Sequence, residues 1–278
     1  MNDMQHLHAL YGLKFNPFIA AVPLEALVKD EATKRFCWRV EQIILDGGFA
    51  LVTGDSGTGK SVTLRHLNEH LKNMPELSVR IITRPQSGIR DFYREVSELF
   101  DIPMKQNNRF GNFSSLRAQW QSHIKASLFR PVLLIDEAQE ACDDVLNELR
   151  LLSSVDLDSK NILAVILAGD KRLLEKLRQS SLLPLESRIL IRYHLDKKPQ
   201  NELVHILTEL IKRAGSPELM TPTLIQAIAE HAMGNLRAMV FMANELLAAA
   251  SEKEQRQLDE NLFFDIYRTS TKKKRTEK

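Results

Sequence analysis

The stretch Leu51–Ser61, LVTGDSGTGKS, constrains the fold of this chain more than any other. A short apolar run leads into the pattern GxxxxGKS, whose glycines let successive backbone N–H groups face a polyphosphate. The pattern requires a strand before it and a helix after it, and the helix adds its positive end to the same anion. It assigns Gly54, Asp55, Ser56, Gly57, Thr58, Gly59, Lys60, Ser61 and Val62 to nucleotide binding. Lys60 is placed to reach the outer phosphates, and Ser61 to hold Mg²⁺ through its hydroxyl.

The flanking sequence supplies the required elements. Glu31–Leu45 carries Phe36, Val40, Ile43 and Ile44 at helical spacing, and Gly47-Gly48 turns the chain into a strand over Phe49–Thr53. A helix runs from the loop to about Asn73, and a strand follows over Val79–Thr83. Helix, strand, loop, helix, strand is the order of a parallel sheet with crossover helices. Asp91–Phe100 reads as an amphipathic helix, Asp101–Asn112 as a polar loop, and Ser114-Ser115 as the N-cap of a helix through about Phe129.

Pro131–Ile135 is an unbroken apolar run, as expected of a central strand covered on both faces, and it ends in Asp136-Glu137. In a parallel sheet these carboxylates emerge at the same edge as the phosphate loop. Asp136 is therefore a candidate for the Mg²⁺ shell, and Glu137 for polarising an attacking water. An Asp-Glu pair also suits the start of a helix, where negative charge is favourable; proximity to a phosphate loop favours the metal and water roles.

A further apolar run, Asn161–Ala168, reads as a fourth strand beside the others and ends in Gly169-Asp170, which places Asp170 near the outer phosphate. It would serve there to orient a water or to position a Lys or Arg. Arg188, before a fifth apolar stretch within Leu182–Arg192, is either a surface arginine or, in an assembly, a cation reaching a neighbour's phosphate. After Leu195 the pattern turns to helices only, over Gln200–Ala214, Thr221–Ala232, Asn235–Glu252 and Leu258–Tyr267. Arg237 stands in the first turn of one of them, an unfavourable place for a cation unless a phosphate is its partner. Near the N-terminus, Tyr11–Phe18 gathers aromatics around a proline, either as a core anchor or as a cover for adenine through Phe18.

The expected domains are thus an α/β nucleotide-binding domain over 1–195 with its N-terminal segment, a helical domain over 196–267 and a basic tail over 268–278. A net charge of +2 over 278 residues excludes nothing by itself, but Lys272–Arg275 concentrates positive charge. Cys37 and Cys142 have no metal-ligand spacing and read as reduced thiols. The longest apolar run, Ile162–Gly169, is far short of the roughly 18 residues of a spanning helix, so a cytoplasmic protein without membrane insertion is expected.

Taken together, GDSGTGKS, VLLIDEAQ, LESRI and GNLRAM resemble the AAA+ ATPases, and YGLKFNPF, DEAQ with ELRLLS, and SRILIRYHL resemble the ExeA-like group within them. That group includes secretion ATPases and the transposition helpers related to TnsC, IstB and MuB. The resemblance implies a P-loop AAA+ parallel sheet with flanking helices and a small all-helical lid, with ATP and Mg²⁺ as cofactors. It implies Walker A roles for Gly54, Gly59, Lys60 and Ser61, Walker B roles for Asp136 and Glu137, and a sensor-1 position for Asp170, where the group usually has an amide. Arg188 is similar to the arginine finger and Arg237 to the sensor-2 arginine.

The length of the chain favours, by the same resemblance, a regulator that oligomerises as a ring or filament on duplex DNA and recruits a transposase, with a target-selection protein as a further partner. Lys105, Arg109, Arg84 and Arg90 are its candidate phosphate contacts. The alternative is an ExeA-like ATPase acting on a protein or membrane-assembly partner in secretion, without DNA.

Overall fold

The computed structural model describes residues 3–83, 85–86, 88–103, 108–127, 129–156 and 159–267. In chain order the elements are α1 (Asp3–Tyr11), α2 (Glu31–Ile44), β1 (Gly48–Gly54), α3 (Lys60–Lys72), β2 (Leu77–Ile82), α4 (Ile89–Leu99), α5 (Arg109–Ser127), β3 (Arg130–Ile135), α6 (Asp143–Ser153), β4 (Ser154–Val155) and β5 (Lys160–Asn161). Then follow β6 (Ala164–Gly169), α7 (Lys171–Leu177), α8 (Leu183–Glu186), β7 (Ile189–Leu195), α9 (Gln200–Arg213), α10 (Pro222–His231) and α11 (Leu236–Glu252), with a last helix, α12, over 260–267. The chain divides into two compact units, one of residues 29–55 and 60–195, the other of residues 1–28, 56–59 and 196–278.

The first unit is built on a five-stranded sheet in the order β2-β3-β6-β1-β7. Every neighbouring pair in it is parallel. β4 and β5 form a separate antiparallel hairpin after α6. Side chains alternate across a strand, so each buried strand feeds two cores. Phe49, Leu51, Leu133, Ile135, Val165 and Leu167 point to one face, beneath α4 to α8, with Phe92, Tyr93, Trp120 and Leu149 packed on them. Ala50, Val52, Val132, Leu134 and Ile166 point to the other, where α2 and α3 contribute Phe36, Val40, Leu64 and Leu67. The break in register between Phe49 and Ala50 lets β7 place Ile189 on the first face and Ile191 on the second.

The second unit gathers α1, α9, α10, α11 and α12 around Leu207, Ile211, Leu224, Ile228, Met239, Leu246 and Phe263. The sheet unit ends at Leu195, and residues 1–28 group with the helices and not with the sheet. Lys14 N–H donates to Ala214 O at 2.9 Å, and Asn16 Nδ2 to Asn244 Oδ1 at 3.0 Å, while Leu13 and Phe18 are core residues of this unit.

Two sequence expectations need correction. α5 begins at Arg109, so the polar loop is shorter than its lack of periodicity implies. The cap is Asn108, whose Oδ1 accepts from Gly111 N–H at 2.7 Å, and Ser114 and Ser115 lie inside the helix. The run Asn161–Ala168 is also not one strand, because Asn161 pairs with Ser154 in the hairpin and β6 starts at Ala164. Among the described residues, no helix is long and apolar enough to cross a membrane.

Candidate nucleotide site

β1 is buried along its whole length and delivers the chain to the phosphate loop at Gly54. Lys60, the first residue of α3, is 6% exposed, and its Nζ donates to Gly54 O at 2.9 Å and Asp55 O at 3.1 Å. A buried ammonium is tolerated only with partners of this kind, and here two loop carbonyls supply them. Ser61 Oγ donates to Asp136 Oδ2 at 2.9 Å. The sheet order explains this meeting: β6 lies between β1 and β3, and the parallel registers bring the ends of all three strands to one edge. A hydroxyl and a carboxylate side by side, both oxygen donors at the N-terminus of α3, fit a hard divalent cation carrying phosphate oxygens.

Glu137 has φ 52°, a left-handed conformation that a side chain of this size adopts only when its surroundings hold it there. Asp136 Oδ1 accepts from the Glu137 N–H at 3.0 Å, and Gln139 Nε2 donates to Glu137 Oε2. Beyond it a single turn of 3₁₀ helix, Ala138–Glu140, leads to α6. Asp170, at the end of β6, caps α7 by accepting from Arg172 N–H at 2.8 Å. Its carboxylate also pairs with the Arg172 guanidinium at 2.9 Å, and Arg172 binds Glu140 at the same distance.

The loop tip 56–59 belongs with the helical unit. Asn235 caps α11 by accepting from Ala238 N–H at 3.1 Å, and its Nδ2 donates to Ser56 O at 3.0 Å. Leu236 N–H donates to Gly57 O at 2.9 Å, and Arg237 Nη1 to Ser56 Oγ at 3.1 Å. Gly57 is required twice over, by φ 83° and because a Cβ there would lie 2.1 Å from Asn235 Oδ1. Arg237, in the first turn of α11, is exposed and spends one guanidinium nitrogen on the loop serine.

Arg188 is half-buried at the start of β7, where Ile189 pairs with Phe49. Gly54 pairs with Leu195 at the other end of the same strand. Six residue steps at about 3.3 Å each separate Ile189 from Leu195, so the start of β7, next to Arg188, lies about 20 Å from the phosphate-loop edge of its own sheet. Phe18 is 3% exposed within the helical core.

The candidate DNA contacts fare differently. Arg109 is committed elsewhere: its Nε and Nη2 donate to Glu148 at 3.2 and 2.5 Å, and Tyr93 Oη donates to the same carboxylate. Burial, together with Glu148, pushes the Tyr93 hydroxyl well above its usual range, and the bond to Glu148 raises Arg109. Arg109 therefore compensates a buried carboxylate, contrary to its expected place on a polar loop. Arg90 is exposed in the first turn of α4. Lys105, Arg84 and the basic tail lie outside the described residues.

Sequence reasoning passed over Gln139 and Asn235. Gln139 follows directly on the Asp-Glu pair and Asn235 directly precedes Leu236-Arg237, so adjacency to the motifs was the available signal.

Residues 44–177 match the family model described as "AAA domain". The chain is similar to General secretion pathway protein A of Aeromonas hydrophila, 31% identical over 208 residues, which is 73% of this chain and 37% of that protein. It thus spans little more than a third of the length of that curated relative. Among solved structures, Cdc6p from Pyrobaculum aerophilum superposes with a TM-score of 0.71 at 17% identity, covering 87% of this chain and 67% of that one. The Aeropyrum pernix ORC2 protein in its ADPNP–ADP complexes does so with a TM-score of 0.70 at 14% identity, covering 91% and 71%. At such identities the likeness speaks for the fold alone. The match over residues 44–177, the sheet order and the phosphate loop agree with the P-loop AAA+ fold.

Proposed function

We propose that this chain is a Mg²⁺-dependent ATPase whose nucleotide cycle acts on a protein partner in a membrane-associated assembly. The observation that carries the catalytic half is the Ser61–Asp136 contact with Glu137 next to it, beside a buried Lys60. Bound Mg²⁺ and ATP supply a phosphoanhydride and a cation that neutralises charge on its phosphate oxygens.

The chain's own residues do the rest. Ser61 and Asp136 would hold the metal, and Lys60 Nζ, now on two loop carbonyls, would bind the outer phosphate. Glu137 accepts a proton at a carboxylate oxygen from the attacking water. Arg237 offers its guanidinium beside Ser56, and Arg188, about 20 Å along β7 from its own loop, serves a neighbouring copy in a ring or filament.

The partner half is supported by similarity to General secretion pathway protein A, and by the engagement of Arg109 by Glu148, which favours a structural role for that candidate DNA contact. The motif resemblance to transposition helpers supports a second reading, an ATPase assembling on duplex DNA to recruit a transposase. Exposed Arg90 is the described residue that would serve it.

Phosphate release from ATP by the purified chain tests both readings, measured alone, with duplex DNA and with detergent-solubilised membrane protein. Turnover raised by the membrane fraction and indifferent to DNA supports the first. Stimulation by DNA that falls steeply with salt supports the second. A chain without Mg²⁺-dependent turnover under all three conditions refutes the ATPase reading.

A further inference from the structure

Gln139 is 6% exposed, and both ends of its amide are engaged. Nε2 donates to Glu137 Oε2, and Oε1 accepts from Asp170 N–H at 3.2 Å. The orientation of the amide is fixed by its partners, because a carboxylate only accepts and a backbone N–H only donates. One side chain thereby joins the carboxylate after β3 to the backbone after β6. The space is made for it: a Cβ on Gly169 would lie 2.6 Å from Gln139 Oε1, so the strand approaches the amide as closely as a bare backbone can.

The turn that carries Gln139 is itself pinned from α7. Lys176 Nζ donates to Gln139 O at 3.1 Å and Ala141 O at 2.7 Å, and Arg172 binds Glu140 at 2.9 Å. The backbone beneath Gln139 is therefore held independently of the side chain. Glu137, by contrast, stands in a strained left-handed conformation, and Gln139 is the side chain seen bonding its carboxylate among the described residues.

We propose that Gln139 is the positioning residue for Glu137: its Nε2–H holds the carboxylate where it takes the proton from the attacking water, and its Oε1 registers that position against the end of β6. The assignment rests on the ATPase reading above. Misplacing a catalytic group by about 1 Å costs up to about a hundredfold in rate, whereas ground-state nucleotide binding depends on the loop, Lys60 and Ser61.

Gln139→Glu separates the two bonds. It keeps the shape and the acceptor toward Asp170 N–H but presents a like charge to Glu137. Gln139→Met keeps the length and removes both bonds. In steady-state ATP turnover by the full chain, both variants are expected to lower kcat about tenfold or more, with KM and ATP-analogue affinity within about twofold of the parent.

In a Glu137→Gln background, neither is expected to lower kcat further, because the residue acts through Glu137. An additive loss in that background, or a Gln139→Glu protein that binds nucleotide and turns over at the parental rate, overturns the assignment while leaving the ATPase reading intact. A parent chain with no turnover overturns both. If Gln139→Met unfolds, Gln139→Glu alone decides, with nucleotide binding as its check of folding.

Discussion

Replacing Arg109 with alanine distinguishes a structural cation from a DNA contact. Glu148 is 2% exposed and accepts from Arg109 through two nitrogens and from Tyr93 through its hydroxyl. Removing one partner of a fully buried pair costs about 3–5 kcal/mol, because a charge is left without compensation. The Arg109 side chain is 60% exposed, so solvent already screens part of that attraction, and Tyr93 remains to bond one oxygen. Discounting for both gives about 2 kcal/mol.

For a unit of this size that corresponds to a fall in Tm of about 4–8 °C. Circular dichroism melts of the parent, Arg109→Ala, Glu148→Gln and the double variant measure the coupling. The double variant is expected to be more stable than Arg109→Ala, since a neutral amide at position 148 leaves no charge unpaired. Fluorescence anisotropy with labelled duplex at low salt supplies the second axis, on which folded Arg109→Ala should match the parent. An unchanged Tm with a several-fold loss of DNA affinity would refute the reasoning and return Arg109 to the DNA contacts.

Lys60→Ala should weaken ATP-analogue binding about ten- to a hundredfold, the range of a lost charge-assisted bond to phosphate; equal affinity in a fluorescence titration would remove its assigned role. Arg188→Ala should leave nucleotide affinity intact and reduce turnover about a thousandfold, and an inactive Glu137→Gln chain, with its arginine intact, should restore turnover to it on mixing. Parental activity in Arg188→Ala would end its assignment as a finger. Asn235→Ala loses both the α11 cap and the bond to Ser56, and about 1 kcal/mol of stability is expected to go with the cap, read as a lower urea midpoint. A midpoint at parity would show that the α11 terminus does not depend on this side chain.

What the sequence determined by itself is the backbone of the contiguous motifs and the elements with clear periodicity. The phosphate loop, the apolar run into Asp136-Glu137 and the change to helices after Leu195 were legible because each is local: a few side chains at fixed spacing decide the backbone that bears them. The start of α5 was not legible, because Asn108 caps a first turn with little apolar signal.

Tertiary structure alone decided how distant segments meet. It placed β6 between β1 and β3, which brings Ser61 within 2.9 Å of Asp136, and it closed Glu148 around Arg109, 39 residues away in the chain. It packed residues 1–28 with helices that begin at Gln200, and it set Gln139 between Glu137 and Asp170. The physical reason is common to all of these. A buried polar group must find a partner wherever the packed chain supplies one, and the identity of that partner depends on strand order and helix docking, which no local spacing of residues encodes.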